Sequence, residues 1–95
     1  MNITELSWME QGGGRYLLSV STPASMEQDR VDEIARVIHH VGFSSQGEGQ
    51  WLSPEDPNAP AELWTALQEI DVTLEMDTAV LPPSMLMVVA DLQFV

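Results

Sequence analysis

Polar and apolar positions alternate with a period of two in the first twenty residues. Thr4, Leu6 and Trp8 fall in phase, then Tyr16, Leu18 and Val20, with Gly12-Gly13-Gly14 between the two runs. Alternation puts successive side chains on opposite faces of a strand, and the glycines supply the positive φ values that a tight reversal needs, so residues 3–21 are predicted to form a β-hairpin. The period then lengthens. Val31, Ile34, Ala35, Ile38 and Val41 recur at helical spacing, which predicts an amphipathic helix over about 26–41. Ser25 with Gln28 three residues on reads as its capping box, Glu27 and Asp29 suit the positive end of its dipole, and Gly42 stands where a left-handed stop belongs.

Phe43 to Leu52 is rich in Ser, Gln and Gly and reads as one strand or a loose hairpin. After the proline-punctuated loop 53–60, Leu63, Trp64, Leu67 and Ile70 share one side of a short helix over about 60–69, with Pro60 in its first turn. Val72, Leu74 and Met76 then alternate with Asp71, Thr73, Glu75 and Asp77, the cleanest strand pattern in the chain. Beyond Pro82-Pro83, the apolar run from Met85 is predicted to be a final strand reaching Val95, either central or covered by a partner. The expected fold is α+β: a small antiparallel sheet in the order ββαβαββ, with two helices packed on one face, forming a single compact domain over 1–95. With 44% hydrophobic residues and three Trp the chain has enough apolar surface to fold unaided.

Composition changes the picture through charge. Fifteen Asp and Glu face only Arg15, Arg30 and Arg36, with no Lys, for a net charge of −12. Charged residues make up only 19% of the chain, so the imbalance comes from missing cations rather than surplus anions. Nucleic acid and anionic membranes need Lys or Arg against phosphate, so neither is expected as a direct ligand. A basic protein is the expected partner, since a field of one sign steers such an encounter. The absence of Cys excludes disulfides and thiolate metal sites, and the first residues carry no secretory pattern, so a soluble, cytoplasmic protein is expected.

Catalysis is not expected. The histidines, His39 and His40, are adjacent on a helix and diverge by about 100°. The three glycines precede a strand and no Lys follows them, so they are not a phosphate loop. No metal site is expected either, because Arg36 interrupts the acidic helix face and no calcium-loop pattern occurs. No cofactor is implied. Trp8 and Trp64 are expected in the core, whereas Trp51, between a polar segment and a proline loop, is a candidate interface anchor.

The candidate partner-binding residues are therefore Asp29, Asp32 and Glu33 on the first helix, Glu48 and Trp51 around the polar segment, Glu55 and Asp56 in the proline loop, and Asp71, Glu75 and Asp77 on the acidic strand. The leading expectation is an inhibitor that mimics nucleic acid in the basic groove of a DNA- or RNA-handling protein. Some phage-encoded inhibitors of bacterial defence, anti-CRISPR proteins among them, share this size and acidity, a likeness of composition that no motif carries. Duplex DNA has one charge per about 1.7 Å of axis. Strand positions on one face recur every ~7 Å, so mimicry requires helix and strand patches to merge on one surface. The alternatives are an immunity protein or antitoxin that plugs a basic toxin with one local patch near Trp51 or Tyr16, and a phage or secretion accessory protein. A homodimer through the C-terminal strand is a further expectation.

Overall fold

The computed structural model describes residues 3–77, 79–86 and 88. The alternating N-terminal runs form β1 (Ile3–Gly12) and β2 (Arg15–Ser21), antiparallel with Trp8 opposite Leu18. Gly12, Gly13 and Gly14 all hold positive φ at their reversal. Next come α1 (Gln28–Val41), the short hairpin β3 (Ser44–Gly47) and β4 (Gln50–Leu52), then α2 (Ala59–Glu69) and β5 (Thr73–Met76).

The α+β class stands, but the sheet is mixed. Its five strands lie in the order β3-β4-β2-β1-β5, and β5 runs parallel to β1, with Leu6 beside Met76. The reason lies in the connections. A helix between two strands carries the chain back along the sheet, so the next strand enters in the same direction as the one before. β4 and β5 flank α2 and run alike; β4 is antiparallel to β2 and β2 to β1, so β5 meets β1 in parallel. The segment 44–52 is a hairpin with its bulge between Ser45 and Gly47, making the order ββαββαβ.

Packing follows the predicted stripes. Leu6, Trp8 and Leu18 on one sheet face meet Ile34 and Ile38 of α1 and Leu63, Trp64 and Leu67 of α2, all buried. Each such side chain contributes about 1.5–3 kcal/mol by leaving water. Both helices therefore lie on one face, and Glu5, Met9, Ser21 and Gln50 of the other face are exposed. Gly42, at φ 114°, ends α1 by donating its N–H to the carbonyls of His39 and Ile38.

Local expectations fail at three places. The helix starts later than a Ser25 cap would place it: its N-cap is Glu27, whose side chain makes no cap bond, and residues 23–26 form a turn closed by the Met26 N–H and the Pro23 carbonyl at 3.0 Å. The Gln28 amide donates to Asp32 at 2.9 Å. Spacing of i+4 and i+3 on the helix predicts that Arg36 pairs with Asp32 and Glu33, but among the described residues it makes no ion pair; Arg30 instead holds Glu33 and also donates to the Ile70 carbonyl, tying α1 to the end of α2. The strand expected from Met85 is replaced by helix at 83–86, with Met85 fully buried. Proline fits a helix's first turn, and an apolar run cannot by its pattern alone separate helix from strand. The rest of that predicted strand, 89–95, lies outside the described residues, as does the dimer contact expected of it.

Thr4 occupies the core side of β1, fully buried beside Leu74, and among the described residues its hydroxyl has no hydrogen-bond partner. Replacing an unsatisfied buried hydroxyl with a methyl group removes its desolvation cost, so Thr4→Val should stabilise the fold by about 1 kcal/mol. The midpoint of urea denaturation checks this; a lower midpoint would mean that the hydroxyl finds a partner in solution.

Candidate interaction surface

The candidate residues fall into separate groups. Asp29 and Asp32 are exposed on the outer side of α1, while Glu33 is half-buried in its pair with Arg30. Leu74 and Met76 turn into the core, so Glu75 of β5 points to the open face, where it stands beside Glu5 of β1. The α1 carboxylates and Glu75 thus face away from each other across the two layers. The ends of these elements approach where Glu27 and Asp71 line a shallow cleft, but Arg30 lines it too. Asp71 takes a positive φ of 59° at the turn into β5, and Asp77 accepts the Ala79 N–H at 3.0 Å just after it. Glu48 is exposed on the β3–β4 turn.

Trp51 is not an exposed anchor. Strand alternation on β4 sets it opposite Leu18 of β2, and it is half-buried against the core with Trp8 on the next strand. Trp8 and Trp64 are buried, as their positions predict.

The proline loop brings the remaining candidates next to Tyr16. Ser53 grips the Tyr16 backbone on both sides, its hydroxyl accepting the Tyr16 N–H at 2.8 Å and its own N–H donating to the Tyr16 carbonyl at 2.9 Å. Glu55 then accepts from Arg15 at 3.0 Å. Asp56 accepts the Asn58 N–H on Oδ1 at 2.9 Å, and its carbonyl accepts the Ala59 N–H that opens α2. Beside these groups is a cleft of about 170 Å³ walled by Tyr16, Pro57, Pro60, Pro82 and Pro83, with Asp56 as the single carboxylate among its lining residues. Its walls come from three stretches of chain, 14–16, 53–60 and 82–83, that no local pattern links. Pro82 and Pro83 read in the sequence only as the end of a strand, so the cleft had no signal there.

Among the described residues no three His, Asp or Glu side chains gather as a cation site would require, and no helix is long and apolar enough to cross a membrane. His39 and His40 are exposed in the last turn of α1. Comparison with protein-family models, with curated proteins and with solved structures gives no match.

Proposed function

We propose that this protein binds a basic protein and blocks it, acting as an inhibitor with no catalysis of its own, in the cytoplasm. The observation that carries the reading is the internal use of its few cations. Arg15 is paired with Glu55 and Arg30 with Glu33, and among the described residues Arg36 makes no ion pair. The other described carboxylates are exposed and make no ion pair among the described residues. A surface of one sign attracts a basic partner over several ångströms and raises its rate of encounter.

Placement favours a local plug over a duplex mimic. Carboxylates on opposite faces cannot present the continuous stripe of charge that a nucleic-acid groove accepts, whereas Tyr16, Glu55 and Asp56 meet at one end of the sheet. One aromatic beside an acid outside any described ion pair, Asp56, with the Arg15–Glu55 pair next to it, is the kind of local patch that a toxin-neutralising protein can set in a catalytic cleft. A nucleic-acid-handling enzyme blocked at a single basic cleft suits the same patch.

Affinity capture on the immobilised protein at low ionic strength is expected to retain a basic protein. For the purified pair, Kd should rise about tenfold or more between about 50 mM and about 500 mM salt, mostly through the association rate. An acidic partner, or a Kd indifferent to salt, would overturn the reading. Neutralising Glu55 and Asp56 together should weaken the complex more than neutralising Asp71, Glu75 and Asp77 together; the opposite ranking would return duplex mimicry to the front.

A further inference from the structure

We infer that the cleft between Tyr16 and the four prolines receives an arginine side chain of the partner. This rests on the reading above that the partner is a basic protein, and it names the group that would enter. Size sets the first limit. At about 170 Å³ the cleft is close to the ~150 Å³ that holds a benzene-sized group. It is well below the ~300–1,000 Å³ of sites that enclose small-molecule ligands. One side chain fits it.

The walls set the second limit. Pro60 and Pro82 are buried and Tyr16 is half-buried. The backbone of Tyr16 is held on both sides by Ser53. Proline rings have no rotamers to lose, so a guest orders few groups on entry. An apolar stem would cover these walls, and a planar cation would stack on the Tyr16 ring.

Asp56 decides the sign of the guest. Its Oδ1 is already fixed by the Asn58 N–H, which orients the carboxylate, and among the described residues its second oxygen has no partner. Filling the cleft with an aliphatic side chain would strip water from that carboxylate with nothing in exchange. A guanidinium pairs with it while stacking, and being weakly hydrated it gives up less on entry than an ammonium does. The chain's own Arg15 does not supply the cation, since it is held by Glu55. The charge must come from outside, which the net charge of −12 favours.

The test is a titration of the full chain, followed by amide NMR, with N-acetyl-arginine amide and its neutral isostere N-acetyl-citrulline amide, and with N-acetyl-leucine amide alongside. The arginine probe should give saturable shifts confined to the amides around Tyr16, Ser53 and Asp56, with the citrulline probe binding roughly tenfold more weakly. Asp56→Asn, which keeps an oxygen for the Asn58 N–H, should abolish that difference, while Asp32→Asn on α1 should leave it intact. Equal binding of arginine and citrulline, tighter binding of leucine, or arginine shifts spread evenly over α1 and β5 would overturn the inference. The comparison of probes needs no substitution and decides the matter even if the variant misfolds. A captured basic partner whose Kd is unmoved by Asp56→Asn would remove this inference alone; cleft binding of arginine with no basic partner captured would instead remove the proposed function.

Discussion

Phe43→Ala is expected to cost about 3–5 kcal/mol, the range for deleting a buried aromatic ring from a packed core. Phe43 is only 1% exposed, and its ring lies 6.2 Å from that of Trp8 at 56°. It directly follows the cap of α1, where its N–H still reaches the Ile38 carbonyl. The cavity would thus open between the sheet and the helix end, where neither can close in without losing its own contacts. A domain of this size has ~5–15 kcal/mol in total, so the loss is a large share of the whole. Urea denaturation should show a much lower midpoint with an unchanged slope. A loss under about 1 kcal/mol would mean that the site refills and that the Phe43 ring does not hold the sheet and the helix end in place.

Gly49→Ala carries the second large effect, and Gly47→Ala is its control. Both glycines hold positive φ, 76° and 86°, on the turn between β3 and β4. A side chain in that region costs about 1–2 kcal/mol by itself. At Gly47 nothing lies within 4 Å of the added Cβ, so that cost is the whole effect. At Gly49 the Cβ would stand 2.9 Å from the Val20 carbonyl oxygen, a backbone atom of β2 that cannot turn aside. The same stretch of β2 is held by the bond from the Val20 N–H to the Gly49 carbonyl, so relief would pull β4 off the sheet. Overpacking of this kind adds about 1–3 kcal/mol. Gly49→Ala should therefore lower thermal stability clearly more than Gly47→Ala; equal losses would show that β4 shifts freely.

Local pattern made the first hairpin, the core stripe of α1, the second helix and the β5 alternation legible, because each is encoded within about ten residues by the spacing of apolar positions. Leu6, Trp8, Leu18, Ile34, Ile38 and Leu67 are buried where that spacing put them. The parallel pairing of β1 with β5 was not legible, since it joins residues some seventy positions apart. The helix at 83–86 was hidden by a two-sided apolar run that suits either structure. Of the candidate surface, composition revealed the missing cations and the acids of the proline loop. It could not reveal that Trp51 turns inward, which depends on its register with Leu18, nor that Tyr16 meets Pro82.

The position of β1 inside the sheet has a consequence for how the chain is made. β1 is synthesised well before one of its two neighbours, β5, which begins only at Thr73. At ~5–20 residues per second, the edge of β1 that β5 will cover stays bare for roughly 3–12 s after the strand emerges. A bare edge is a template for a second nascent copy. Glu5 and Glu10 stand on that strand, which holds no Lys or Arg. Two such edges carry like charge and repel, so the carboxylates that steer a basic partner to the finished protein also keep its unfinished copies apart.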